Sequence, residues 1–240
     1  GRINAEEGRS QFVLDAPLLR YQDIQFQQLH FQVDTKNPIY NTFLSVAQVS
    51  HNYFKGKDFN LISTRLRDTL FFRSEFESAS ELKTPFDVNF HHTREPNGNS
   101  HFIVKKSVVP LGSDTWTINP NNTNQQKLSF YPENKQIRLS ALKASSGSQS
   151  IALSGMYKSS DAFDVELDVQ NLIIENILPS PPTFAMGGNA NLEISIMRST
   201  EENQLGIDAN INSLKINGEG LGDLFLEARG NTQINNYFAN

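Results

Sequence analysis

The 240-residue sequence contains no cysteine. A disulfide framework, a thiolate zinc site and a cysteine nucleophile are therefore excluded. Tryptophan occurs once, at Trp116. No apolar run approaches the roughly 18 residues that cross a bilayer as a helix. Clusters of lysine and arginine are also missing, and the formal charge is -5. A nucleic-acid partner is not expected from such a balance. Neither an H-E-x-x-H pair nor a Walker lysine is present, and no cofactor is implied.

Phenylalanine is what the chain has in plenty: 17 residues, most of them in the first half. A phenyl ring has no polar handle, so these side chains belong in a core, a groove or a contact surface. Apolar residues alternate with polar ones almost throughout, and period two predicts strands. Ile24 and Phe26 share one phase, and Leu29, Phe31 and Val33 share another. The adjacent polar pair Gln27-Gln28 predicts a bulge that returns both halves to one face. Turn-forming stretches recur at Tyr131 to Gln136, Ala144 to Ser150, Tyr157 to Asp161 and Arg198 to Gln204. Strands spaced in this way predict antiparallel β-structure with meander connections. Helical spacing over Asp58 to Leu70 is spoiled by Phe59, Ile62 and Thr64. Ile173 to Leu178 can form a turn or two of helix before the prolines at 179, 181 and 182.

One hairpin can be placed in register. A three-residue loop of Pro96, Asn97 and Gly98 puts glycine where a left-handed residue is needed. It pairs Phe90 with Val104, His92 with Phe102 and Phe86 with Val108. Phe86, Val88, Phe90, Phe102, Val104 and Val108 then share one face. His91 and His101 become diagonal neighbours on the other, and two imidazoles without a third ligand make a poor metal site.

A pattern recurs later. Val165 to Ile174 and Ile207 to Ile216 begin 42 residues apart. Both read apolar, acid, apolar, polar, apolar, then two polar residues and a leucine, and Ile24 to Val33 is a looser relative. Stacked units of this kind give an elongated sheet. Asp164, Glu166 and Asp168 fall on the polar side of one such strand, not on two elements facing across a cleft. "MGGN" at Met186 and "GEGLGD" at Gly218 have no following helix. They read as strand corners or close approaches of backbone. Two architectures suit these features: a closed two-sheet sandwich, or an open curved sheet with an apolar groove.

From Trp116 to Gly230 the order of segments resembles the C-terminal part of the TamB family, the AsmA-like or bridge-like lipid transfer proteins. The segments are "WTINP" at Trp116, "KLSFYPENKQIRLS" at Lys127, "SIALSG" at Ser150 and "FDVELDVQNLIIENIL" at Phe163. "MGGNANLEISI" at Met186 and "LGIDANINSLKINGEGLGDLFLEARG" at Leu205 complete the series.

The resemblance implies a long, parallel-stacked, strongly curled sheet, a β-taco, with an apolar trough. It implies a TamB-like segment over residues 111–240 and a Phe-rich β segment over 1–110, which either is a preceding part of the same groove or closes it as a cap. The family is anchored in the inner membrane of Gram-negative bacteria outside this region and crosses the periplasm. It moves phospholipid toward the outer membrane and works with an Omp85-type outer-membrane barrel protein in envelope assembly. No catalytic residue is implied. The trough lining carried over comprises Trp116, Ile118, Phe130, Leu139, Leu153, Phe163, Val165, Leu167 and Val169. Its second arm comprises Leu192, Ile194, Ile196, Leu205, Ile207 and Ile211. The alternative is a β-sandwich module that binds glycan or protein, compact and with a radius near 18 Å by the usual scaling. An envelope hydrolase would need convergent acids or a Ser–His pair, which no spacing here supplies.

Overall fold

The computed structural model describes residues 2–4, 8–37, 41–51, 54–66, 69–78, 85–177, 185–200, 202–231 and 236–239. They form a single all-β sheet of eighteen strands. The first half holds β1 (Arg2–Asn4), β2 (Arg9–Tyr21), β3 (Ile24–Asp34), β4 (Thr42–His51), β5 (Phe54–Leu66), β6 (Thr69–Ser78) and β7 (Phe86–Arg94). Four short strands follow: β8 (Ser100–Val104), β9 (Ser107–Leu111), β10 (Asp114–Ile118) and β11 (Lys127–Tyr131). The second half holds β12 (Gln136–Ser146), β13 (Gln149–Ser159), β14 (Ala162–Ile173), β15 (Met186–Arg198), β16 (Asn203–Ile216), β17 (Glu219–Asn231) and β18 (Asn236–Ala239). The only helix among the described residues is α1 (Ile174–Ile177), where a turn or two was expected. The proline cluster after it lies outside the described residues.

Each strand from β1 to β7 pairs with the next. β8 and β9 share one row beside β7. β10 and β11 share the next row, between that one and β12. From β12 to β18 each strand again pairs with its successor. Every one of these ladders is antiparallel, so the parallel stacking implied by the family resemblance is corrected to a meander. The reason is local. Two-residue links such as Gln22-Asp23, Gly147-Ser148 and Asn217-Gly218 return the chain beside itself and are far too short for a crossover. Asp58 to Leu70, with its broken helical spacing, supplies parts of two strands.

The "GLGDLFL" stretch lies within β17. Its corner is the preceding Asn217-Gly218 pair, both left-handed at φ 52° and 86°, while Gly222 (φ 90°) sits at an irregularity inside the strand. At Gln27-Gln28 the two halves return to one face, but without the expected bulge: Gln28 has φ 52°, and the ladders to β2 and β4 each skip one residue on both strands there, so the register passes through unshifted.

The predicted hairpin loop is also present. Gly98 is left-handed, Glu95 and Asn99 close the loop, and Phe90 and His92 pair with Val104 and Phe102. One part of that register is corrected: Val108 pairs with Asp87, not Phe86, and joins the opposite face. The strand breaks between Val104 and Ser107, where Lys105 donates its N–H to Asn89. That break shifts the phase by one residue, which moves every later side chain to the other face.

The accessible surface is 15715 Å². A compact chain of 27.0 kDa would expose about 10,800 Å². The excess is that of an elongated sheet with much of its surface in water. Besides the ring of Pro110, only seven apolar side chains are buried among the described residues.

Candidate functional site

Directly paired residues share a face, so the registers trace which side chains lie together. One row runs Ile118, Ala144, Ile151, Val169, Leu192, Ala209, Leu226 across β10 to β17. The next runs Leu142, Leu153, Leu167, Ile194, Ile207, Ala228. A third runs Phe102, Leu128, Leu139, Gly155, Val165, Ile196, Leu205. Phe130, Ile137, Tyr157 and Phe163 make a fourth. Ile211 stands opposite Ala190, and Trp116 is two residues from Ile118. All fifteen candidates drawn from the sequence therefore occupy one face.

The same face continues through the first half, which the candidate set did not include. Phe102 pairs with His92, Val104 with Phe90, and Phe90 with Phe72. The rings form ladders there. Phe72 stacks on Phe90 at 4.7 Å, Phe76 on Phe86 at 4.2 Å, and Phe102 meets Phe130 edge-on at 5.9 Å. The crowding of phenylalanines was the signal for this extension.

Two apolar hollows open on this face. One, of about 270 Å³, is lined by Phe26, Leu29, Leu44, Val46, Val49, Gly56, Phe59 and Phe76. The other, of about 200 Å³, is lined largely by Leu128, Ile137, Leu139, Leu153, Phe163 and Val165. Of the seven buried apolar residues, Leu29, Val46, Trp116, Val169, Ala190 and Leu214 lie on this face and Ile174 on α1. Most of their neighbours on the face are only half-buried.

α1 meets the hairpin of β9 and β10. Asn176 donates to both carboxylate oxygens of Asp114 at 3.1 and 3.0 Å, and Gln149 donates to the same group at 2.7 Å. Ser113 N–H donates to the Asn176 carbonyl at 2.8 Å. A Cβ on Gly112 would stand 1.5 Å from that carbonyl oxygen, so only glycine fits. Trp116, 2% exposed, lies in this hairpin, and its Nε1 has no hydrogen-bond partner among the described residues.

The opposite face is more polar. Asp168, Glu193, Asp208 and Glu227 stand directly opposite one another on four neighbouring strands. Arg229 answers two of them, reaching Asp208 at 2.7 Å and Glu227 at 3.5 Å. His91 and His101 share this face as expected, but both are buried rather than solvated. His101 contacts Ser129 at 2.8 Å and Glu95 at 3.1 Å. Burial, with Lys105 nearby, pushes the His91 imidazole below its ordinary value. No group of three or more His, Asp or Glu among the described residues is arranged to hold a metal. No described helix is long and apolar enough to cross a membrane.

The two glycine motifs act as backbone devices. Gly188 N–H donates to Glu175 at 2.9 Å, and a Cβ on Gly188 would meet the Asn212 carbonyl at 3.0 Å. Comparison with known proteins adds no relative: no family model, no curated protein and no solved structure matches this chain.

Proposed function

We propose that this chain is a non-enzymatic, lipid-holding segment whose apolar face takes the acyl chains of phospholipid along a curled, trough-like sheet. The observation that carries the reading is the face itself. It is apolar across successive strands, carries two hollows and is left half-exposed. Uncovered apolar area of this extent marks a site of contact with lipid or another chain. Each methylene that leaves water gains roughly 0.8 kcal/mol. Rows of similar apolar side chains keep that gain nearly level from strand to strand, so a chain can slide without a high barrier.

The contact between Asp114 and Asn176 supports a curl. It joins β10 to the helix that follows β14, across the rows of β12 and β13. The biological setting rests on the family resemblance: a periplasmic stretch of a protein anchored to the inner membrane, passing phospholipid toward the outer membrane and partnering an Omp85-type barrel protein.

Native mass spectrometry of the purified chain, with lipid extraction alongside, tests the reading. Co-purified phospholipid, lost when Leu167→Asp or Ile194→Asp places a charge in the central rows, is the expected result. A clean mass with no apolar-dye uptake, and scattering near the compact radius of about 18 Å, would instead point to a closed binding module.

A further inference from the structure

In the sequence only Lys105 and Lys106 stand side by side, yet residues 105–143 hold six Lys/Arg against two Asp/Glu, a balance of +4 in a chain of -5. The fold gathers four of these cations on the polar face. Lys127 pairs with Ile103 and with Ser140, and Ser129 pairs with Arg138, so Arg138 is diagonal to Lys127. Lys105 follows Ile103 by two residues and is diagonal to Lys127 on the other side. It opens on the same face as Arg73 and Asn89. The extra residue that β12 carries between Leu139 and Leu142 brings Lys143 to this face too, in line with Ala152 and Asp168. Diagonal neighbours in a sheet stand about 7–8 Å apart.

The loop between β10 and β11 holds these like charges together. Asn119 is fully buried, and its Nδ2 donates to the carbonyls of Val104 and Thr123 at 2.7 and 2.8 Å. Its backbone N–H donates to the Lys143 carbonyl at 2.8 Å, and the Lys143 N–H donates to the Gln126 side chain at 2.8 Å. Lys105 Nζ donates to Asn124 Oδ1 at 3.0 Å. Elsewhere on this face cations are answered by acids: Arg73 by Glu75 and Asp87, Arg229 by Asp208 and Glu227. Lys105, Lys127, Arg138 and Lys143 have no ion-pair partner among the described residues. Glu95 is taken by His101 and Asn99. Asp164, Glu166 and Asp168 stand on β14, behind Met156, Ser154 and Ala152 of β13.

The patch has an apolar border. The row of Lys127 and Ile103 continues through His91 to Phe71, which is 40% exposed. Beside it Ile62, Thr64, Phe71, Arg73, Asn89 and Lys105 line a crevice of about 220 Å³. Unpaired cations next to an exposed ring suit the surface of an anionic bilayer, where ammonium groups meet phosphates and the ring enters the headgroup layer. A soluble polyanion answers the charges alone. The four cations are spread over three neighbouring rows, so they form no cup around one small anion. From β14 to β17 the same face is acidic, so an anionic surface attracts one half of the face and repels the other. That contrast fixes how the sheet lies on it.

We propose that Lys105, Lys127, Arg138 and Lys143, with Phe71 beside them, dock this face on the surface of an anionic phospholipid bilayer. The contact uses the face opposite the apolar rows and does not depend on lipid lying there.

Co-sedimentation with vesicles tests it, comparing phosphatidylglycerol mixed with phosphatidylcholine against phosphatidylcholine alone. Binding to the anionic vesicles only is expected. It should fade as salt shortens the reach of the charges from roughly 10 Å at 0.1 M to roughly 3 Å at 1 M. Lys105→Gln, Lys127→Gln and Lys143→Gln should each weaken it about fivefold, and all three together about a hundredfold. Lys105→Arg, Lys127→Arg and Lys143→Arg together should leave it intact, as should Lys55→Gln outside the patch. Circular dichroism checks the fold, and the single variants serve if the triple one fails to fold. Equal binding to neutral vesicles, or full binding by the folded glutamine variants, overturns the proposal. So does binding of inorganic tripolyphosphate without binding of vesicles, which would give the patch to a soluble polyanion.

Discussion

Asn171 and Ser213 occupy the same place in their strands. Each has φ 53°, and each has its backbone N–H bonded by a side chain of the following strand: Asn191 Oδ1 at 2.9 Å for Asn171 and Asp223 Oδ1 at 2.8 Å for Ser213. The recurring sequence pattern is thus a recurring bulge, and 42 residues is the length of one out-and-back strand pair. The two adjacent polar residues in each unit are where the alternation slips. Asp223→Ala leaves the Ser213 N–H to water at a cost of about 0.5–1.5 kcal/mol. Urea unfolding should show that loss. Ser213→Gly, which removes the left-handed penalty on a residue with a Cβ, should recover part of it.

How far this could be read beforehand depended on whether a feature was local. Period two, the phase slip at Gln27-Gln28 and the Gly98 loop are written in neighbouring residues, and all three are found, although the slip is made by a left-handed Gln28 and not by an extra residue. The placement of Val108 went astray because the break at Lys105 and Lys106 carries no glycine or proline to announce it. The continuity of one face from Phe12 to Leu226 is a property of thirteen row-to-row registers in sequence, most of them fixed by their own turns. The burial of His91 and His101 was hidden for another reason. Alternation assigns a face, but not whether other side chains cover it.

Gly112 makes the closest backbone approach of any glycine among the described residues. It combines φ 61° with a carbonyl oxygen 1.5 Å from where a Cβ would stand. Gly112→Ala must push the β9–β10 hairpin off α1 and break the Ser113–Asn176 bond. A loss of about 2–4 kcal/mol is expected, from strain and a broken polar contact together. Trp116 is the sole tryptophan and lies four residues on, so its emission should shift to the red as it gains water. An unshifted spectrum with unchanged stability would mean that the helix does not hold this end of the sheet.

Acid should weaken the fold in two stages. The ordinary imidazole value is 6.5, and in the native state burial, with help from Lys105, lowers that of His91. Below pH 6.5 the unfolded chain binds a proton that the native chain refuses, so stability falls with pH until the lowered native value is passed. Asp34 supplies the second stage. Its carboxylate is held far below its ordinary 3.8 by Arg9 first, then by Gln11 and the Lys36 N–H. That contribution is full above pH 3.8 and is lost as pH falls toward the native value. His91→Phe, packed at a tilt against Phe71 as the imidazole is, should flatten the upper stage alone, and Asp34→Asn the lower. Thermal melts from roughly pH 1.5 to pH 8, which take in the acid limb below 3.8, separate the two.

The two hollows should behave as separate compartments of one face. The first is built on β3 to β6 and the second on β11 to β14, and no lining residue is shared. Leu44 and Leu153 are half-buried in their respective walls, so a charge at either can reach water without collapsing the sheet. Leu44→Glu and Leu153→Glu should each remove about half of the uptake of an apolar dye, and the pair nearly all of it. Dye titration read by fluorescence gives the stoichiometry, and circular dichroism confirms that both variants fold. Full uptake surviving in Leu44→Glu would confine binding to the second half of the chain and make the Phe-rich half a structural extension. Loss of all uptake in either single variant would instead mean that one ligand lies across both hollows, as a long acyl chain running along the face would.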